Sequence, residues 1–258
     1  QGEVTVKLLE DMGIATYVIG KETTDEEVTQ KMCSFKDLLN KGKNVAFVIK
    51  KGALSYENKF EYKNNNLMQR EEIIRHIVAV SHDDPIISTT GKASRELFEI
   101  REEKKQSHQY DFLTVGSMGH SSSIALGVAL HKPEKRVWCI DGDGSLLMHM
   151  GALAVIGSNN PDNLIHIVIN NGSHETVGGM PTVANNIDLV SIAKACGYEY
   201  AVRVDNYDHL DKELQFVKKQ KKSTFIEAMC AIGARDNLGR PTTTALDNKI
   251  NFMKYLNS

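Results

Sequence analysis

Two apolar runs near the middle of this chain end alike and lie one crossover apart. Val137-Trp138-Cys139-Ile140-Asp141 runs into Gly142-Asp143-Gly144-Ser145, and Leu164-Ile165-His166-Ile167-Val168-Ile169 runs into Asn170-Asn171-Gly172. Short apolar runs closed by Gly, Asp or Asn read as strands buried on both faces. The segment between them, Leu146 to Gly157, has the length and composition of one helix. Strand, helix and strand in that order give two parallel neighbours joined by a crossover. Asp143 and Asn171 then stand at the carboxyl ends of successive strands, the edge where open α/β sheets hold ligands.

The same alternation extends in both directions. From Met68 onward the pattern predicts a helix over Arg70–Val80, a strand over Pro85–Ser88 and a helix over Ala93–Lys104. A helix rich in small residues follows over Ser117–Leu130, then strands over Arg136–Ile140 and Leu164–Ile169. A helix over Asp188–Cys196 stops at Gly197, a natural C-cap. Tyr198–Val204, Tyr207–Lys218 and Thr224–Ala231 read strand, helix, strand. Ahead of this block, Val4–Met12 reads as a helix, Ala15–Ile19 as a strand and Asn44–Ile49 as a strand. Thr24 is the expected N-cap of a helix from Asp25, with acidic residues in its first turn. The polar stretch 51–66, with Asn64-Asn65-Asn66, reads as a linker. The expected fold class is α/β: a doubly wound, mostly parallel sheet over 67–258, preceded by a partial second α/β domain over 1–50. Two strands make a poor sheet alone, and the first residue is Gln1 rather than Met, so the chain is expected to be a piece of something longer.

Charge narrows the partners. With 31 basic and 33 acidic residues among 258, nothing favours nucleic acid or a membrane surface. The longest apolar stretches, such as Ile124–Leu130, are too short to span a bilayer, and the first twenty residues carry no basic start followed by an apolar block. The four cysteines, Cys33, Cys139, Cys196 and Cys230, form no CxxC pair, and the nine histidines form no HxH or HxxxH pair. These patterns give neither a disulfide framework nor a zinc motif, and a reducing cytoplasm is the expected location.

What could Asp143 and Asn171 hold together? Mg2+ wants near-octahedral oxygen and is commonly held by few protein ligands plus substrate phosphates. Asp143, Asn171 and a backbone carbonyl, for which Ser173 is the candidate, would leave positions for two diphosphate oxygens and a water. Gly142 and Gly144 let backbone approach an anion, and the start of the following helix at Ser145 would offer unpaired N–H groups. No GxGxxG or Walker pattern points to an ordinary nucleotide-binding protein instead.

The strand-GDGS-helix-strand-NNG arrangement resembles the diphosphate and metal motif of thiamine-diphosphate enzymes. Val115-Gly116-Ser117-Met118-Gly119 is similar to a segment that, in the decarboxylase branch of that superfamily, holds the bent cofactor. By that resemblance the Gly116 carbonyl would meet the aminopyrimidine, and Met118 would wedge beneath the cofactor. Three further stretches resemble the phosphonopyruvate decarboxylases, with sulfopyruvate decarboxylases as near relatives. They run from Thr89 through Gly91 and Lys92 to Leu97, from Gly178 to Thr182, and from Gly233 to Pro241. The likeness covers most of 68–258 and marks it as the diphosphate-binding domain, while 1–50 looks like the second half of a pyrimidine-binding domain.

The resemblance implies thiamine diphosphate and Mg2+ as cofactors and, as the reaction, decarboxylation of 3-phosphonopyruvate in phosphonate biosynthesis. Sulfopyruvate, or another 2-keto acid in a decarboxylase or carboligase, is the alternative within the same chemistry. The implied cofactor contacts are Gly91, Gly116, Ser117, Met118, Gly142, Asp143, Gly144, Ser145, Asn171, Ser173 and His174. Loss of CO2 leaves a carbanion that thiazolium can absorb. The glutamate that activates the cofactor in this family belongs to the early pyrimidine-binding domain, which this sequence does not contain. A complementary subunit, or a second copy in a homo-oligomer, is therefore expected, and a non-catalytic cofactor-binding subunit is the reading of another class. A small anionic 2-keto acid calls for cations, and Lys92, Arg95, Arg235 and Arg240 are the candidates, each equally readable as a solvated surface charge. His120 and His174 follow the two cofactor motifs and could shuttle a proton, bind the headgroup, or serve as structural hydrogen-bonding groups. Glu175 could do acid–base work, though no spacing singles it out. Ser121-Ser122-Ser123 lacks a GxSxG elbow and reads as small residues packing a helix.

Overall fold

The computed structural model describes residues 2–56 and 62–258. The chain divides into two compact units, Gln1–Phe60 and Glu61–Ser258. In the first, α1 (Thr5–Asp11), β1 (Ala15–Ile19), α2 (Asp25–Asn40) and β2 (Val45–Ile49) follow in turn, and the two strands pair in parallel from Ala15 opposite Val45 to Ile19 opposite Ile49. Thr24 caps α2 through a capping box, its hydroxyl accepting from the Glu27 N–H while the Glu27 carboxylate accepts from the Thr24 N–H. Phe35 is buried against Phe47, with ring centroids 4.9 Å apart.

The second unit begins α3 (Arg70–Ser81), β3 (Ile86–Ser88), α4 (Lys92–Glu103), β4 (Asp111–Leu113), α5 (Ser121–His131) and β5 (Val137–Gly142). It continues α6 (Asp143–Met148), α7 (Ala152–Asn159), β6 (Leu164–Asn170), and the short strands β7 (Ser173–His174) and β8 (Met180–Pro181). It closes with α8 (Leu189–Ala195), β9 (Tyr200–Val204), α9 (Tyr207–Lys219), β10 (Thr224–Met229) and α10 (Ala245–Leu256). The main sheet has six parallel strands in the order β4-β3-β5-β6-β10-β9. The chain moves outward from β3 to β4, then returns to place β5 on the other flank of β3. Between β3 and β5 the winding reverses, the place where such sheets open a crevice.

Alternation within the strands divides the core into two layers. Trp138 and Ile140 of β5 face a cluster with Ile73, Ile77, Leu97 and Leu214 from α3, α4 and α9. Val137 and Cys139 face the opposite cluster with Ala125, Leu153, Ala193 and Phe252 from α5, α7, α8 and α10. Both faces are covered, which is why these strands read as unbroken apolar runs. Among the described residues no helix is long and apolar enough to cross a membrane.

Several local expectations need correcting. The single helix expected over Leu146–Gly157 is two, α6 and α7, parted at His149–Gly151. The first begins at Asp143 rather than Ser145, and at six residues it is too short to build a strong macrodipole. The helix expected from Ser117 starts at Ser121, because Gly116 and Gly119 adopt φ of 76° and 89° and form a turn. The three-residue β4 and the C-terminal α10, capped by Thr244, are elements the sequence pattern does not bring out. Asn64 and Asn66, in the stretch read as linker, donate to carbonyls of the second unit: Asn64 Nδ2 to Asn171 (2.8 Å) and Cys230 (2.9 Å), and Asn66 Nδ2 to Cys230 (2.9 Å).

Candidate functional site

A cleft opens at the carboxyl ends of β3, β5 and β6. Among its lining residues are Thr89 and Lys92 after β3, Asp143 and Ser145 after β5, and Asn171 and Ser173 after β6. The strand register explains the convergence: β5 and β6 pair with Gly142 opposite Ile169, so each chain leaves the sheet at nearly the same level. Asp143 is 3% exposed and Asn171 7%. The Asp143 carboxylate accepts from the Thr182 hydroxyl, and Asn171 Oδ1 accepts from the Ser173 N–H at 3.0 Å. Burial raises the Asp143 carboxyl above its ordinary range, and the Thr182 hydroxyl and the Gly144 N–H work in the other direction. A cation beside it would favour the ionised form.

Ser145 ties three segments together. Its Oγ accepts from the Thr89 hydroxyl at 2.9 Å and from the Gly119 N–H at 3.0 Å, so the end of β3, the start of α6 and the Gly116–Gly119 turn share one anchor. Met118 reaches the cleft from that turn, whereas Gly116 and Ser117 lie exposed beside it. Gly144 is a true close approach: a Cβ there would come within 2.7 Å of the His174 ring. His174 therefore lies over the turn that carries Asp143. His120 is exposed, its ring 4.2 Å from that of His149, and it does not line the cleft.

The candidate cations separate. Lys92 lines the cleft, its Nζ 2.6 Å from Glu175 Oε1. Arg95 lies half-buried on α4 and Arg240 is exposed, neither lining the cleft. Arg235 pairs with Glu71 (3.0 Å) and Glu99, and lines a neighbouring depression with Glu96 and Gly233. Gly91 caps α4 with φ of 103° and sets the angle at which Lys92 enters.

Arg70 escaped the sequence reading, and Glu175 entered it without a place in the cleft. Arg70, at the first position of α3, donates to both oxygens of Glu96 (2.7 and 2.8 Å) and also to Glu175 Oε2. Asn171 Nδ2 donates to the same Glu175 oxygen at 3.0 Å. Burial opposes ionisation of Glu175, but Arg70 and Lys92 together hold its carboxyl below the usual range. Nothing in the spacing of Arg70 announces this, since Glu175 lies 105 residues away.

Beneath the cleft lies a second polar group. Cys139 Sγ, Asp141 and His166 offer ligand atoms within 4.8 Å of one another, among the described residues the one such group of three. The absence of HxH and HxxxH patterns could not reveal it, because register, not spacing, sets Cys139 opposite His166. Asp141 Oδ1 accepts from the Gly142 N–H at 3.0 Å, which fixes the backbone ahead of Asp143.

The donor set suits a hard cation: a carboxylate and an amide oxygen on adjacent strand ends, beside a buried Ser173 Oγ with no hydrogen-bond partner among the described residues. A Cβ built at Gly142 would meet nothing within 4 Å, so backbone beside them is open to an anion. The residues present therefore fit Mg2+ and a diphosphate.

The family profile described as "Thiamine pyrophosphate enzyme, C-terminal TPP binding domain" matches residues 89–228, just over half of the chain. A phosphonopyruvate decarboxylase of Streptomyces viridochromogenes is 36% identical over 182 residues, covering 70% of this chain and 44% of the relative. A sulfopyruvate decarboxylase subunit beta of Methanothermobacter thermautotrophicus is 39% identical over 132 residues, covering 51% of this chain and 68% of the relative. The chain thus spans less than half the length of the phosphonopyruvate decarboxylase. Among solved structures, benzoylformate decarboxylase from Polynucleobacter necessarius superposes with a TM-score of 0.57 at 14% identity, covering 69% of this chain and 36% of that one, a likeness of fold.

Proposed function

We propose, because this chain belongs to the thiamine pyrophosphate enzyme family through its C-terminal TPP-binding domain, that it supplies the diphosphate-binding half of a 2-keto acid decarboxylase acting on 3-phosphonopyruvate. The reaction takes 3-phosphonopyruvate and a proton to phosphonoacetaldehyde and CO2. The observation that carries this reading is the convergence of Asp143 and Asn171 at adjacent strand ends, in a cleft that also holds Lys92. Thiamine diphosphate, when bound, supplies the electron sink that decarboxylation of a 2-keto acid requires.

The chain's own residues do the rest. Asp143, Asn171 and the Ser173 carbonyl would hold Mg2+, and the turn from Gly142 to Ser145 would bring backbone N–H groups to the diphosphate. Ser145, fastened to Thr89 and Gly119, keeps that turn aligned with the Gly116–Met118 segment. Lys92 is our choice for an anionic substrate group, because it is the one of the four candidate cations that lines the cleft. His174 is our choice for proton carrier, because its ring lies against Gly144.

Sulfopyruvate is the second reading, favoured by the likeness to sulfopyruvate decarboxylase beta subunits, which also makes a complementary subunit the expected partner. The test is CO2 release from phosphonopyruvate and sulfopyruvate in parallel, with this chain supplied with a complementary subunit or its upstream reading frame. Faster turnover of phosphonopyruvate is expected, and faster turnover of sulfopyruvate would overturn the choice.

A further inference from the structure

The cleft contains an anion of its own. The Glu175 carboxylate accepts from Lys92, Arg70 and Asn171 Nδ2, three donors from three separate elements converging on two oxygens. Side-chain exposure is 9% for Arg70, 10% for Glu175 and 28% for Lys92, so the cluster is largely shielded from water. Behind it Glu96 grips Arg70 with two hydrogen bonds and holds the guanidinium in place. Two cations and two carboxylates balance, and Arg70, Lys92 and Glu175 line the cleft while Glu96 stands behind them.

Glu175 is the member mounted on a tip. It follows the two-residue ladder in which Ser173 pairs with Pro181 and His174 with Met180. Between those strands the chain makes one tight helical turn, Glu175–Val177, and returns through Gly178 and Gly179 at φ of 107° and 76°. Arg70, on the first turn of α3, and Lys92, on the first turn of α4, belong to long helices packed on the sheet. The donors are fixed on the scaffold, and the acceptor is on a hairpin tip.

We propose that Lys92, Arg70 and the Asn171 amide form the receptor for the anionic headgroup of the substrate, and that Glu175 occupies this receptor as an internal competitor until the headgroup displaces it. A headgroup with one negative charge offers the donors no more charge than Glu175 already does. A dianionic phosphonate brings a second charge and a third oxygen, and charge-assisted bonds to Arg and Lys strengthen accordingly. Glu175 thus sets a threshold that a dianion crosses and a monoanion does not, a repulsive element that adds specificity to the attractive one. The inference rests on the proposed function for the identity of the substrate, and on geometry alone for the receptor.

The test is calorimetric titration of the full chain with methylphosphonate and methanesulfonate at about pH 8, where the first is mainly a dianion and the second a monoanion. Wild type should bind methylphosphonate measurably and methanesulfonate at least tenfold more weakly. Glu175→Gln and Glu175→Ala should each tighten binding of both probes about tenfold or more, and Lys92→Met should abolish it. Unchanged affinity in both Glu175 variants, or equal affinity of wild type for the two probes, would overturn the proposal. Repeating the titration with saturating inorganic diphosphate and Mg2+ separates the two sources of such an anion. Methylphosphonate should still bind, and competition would assign the receptor to the cofactor's diphosphate and overturn the proposal. Neither methylphosphonate nor methanesulfonate reads cofactor binding, so the receptor can fail while the proposed function stands, and the reverse.

Discussion

The hydroxyl of Thr182 donates to the carboxylate of Asp143 across 39 residues of chain, joining the start of α6 to the loop that follows β8. This contact orients the carboxylate proposed to ligate the metal. Thr182→Val keeps the shape and removes the donor. Mg2+-dependent diphosphate binding should weaken about 10–100-fold, the usual cost of losing a partner that orients a metal ligand. Titration calorimetry measures the loss, and an unchanged far-UV spectrum would show the fold intact.

Close helix packing gives a second prediction. Gly157 in α7 lies against the backbone at Cys196, so that a Cβ there would fall 1.8 Å from the Cys196 carbonyl oxygen. No flexible side chain can yield, and either α7 or the end of α8 must shift. Gly157→Ala should destabilise the second unit by about 1–3 kcal/mol or more, against the small gain that alanine usually brings to a helix. Urea unfolding checks the sign: a more stable variant would contradict the packing described.

Arg101 and Asp111 form a buried bidentate pair, both hydrogen bonds at 2.9 Å and side-chain exposures of 0% and 1%. Removing one partner strands the other charge in the core. Arg101→Met alone should cost about 3–5 kcal/mol, whereas Arg101→Met with Asp111→Leu should recover much of it. Unfolding of the single and double variants measures the difference.

Acid stability follows from Glu175. Its folded-state carboxyl lies below the ordinary glutamate value of about 4.3, because Arg70 and Lys92 outweigh burial. A depressed carboxyl contributes stability that is present above its unfolded value and lost as pH falls through its folded value. Below about pH 4, then, wild type should lose stability that Glu175→Gln does not lose over the same range. Denaturant midpoints between about pH 3 and pH 6 test this, and parallel curves for the two proteins would contradict it.

Much of this was legible in the linear sequence. Asp143 and Asn171 could be placed because a ligand-bearing residue just past a buried strand needs no partner from elsewhere to define its position. Lys92 was legible for the same reason, at the start of the helix after β3. Arg70 was not, and Glu175 could be named but not placed, since their meaning is a contact between α3 and a hairpin tip. Arg235 and Arg240 looked equivalent to Lys92 by charge, yet Arg235 is engaged with Glu71 and Glu99 outside the cleft. The pairing of Cys139 with His166 depends on register between β5 and β6, which periodicity cannot supply. The division of α6 from α7 at His149–Gly151 was hidden because the apolar pattern continues across it.

Asp143 and Asn171 are proposed to anchor a metal and a diphosphate. Calorimetric titration with thiamine diphosphate plus Mg2+, with NAD and ATP as controls, tests it most directly. The expected outcome is Mg2+-dependent binding of thiamine diphosphate by the wild-type chain, its loss in Asp143→Ala with the fold preserved, and no comparable binding of NAD or ATP. Retained affinity in a folded Asp143→Ala protein would contradict it.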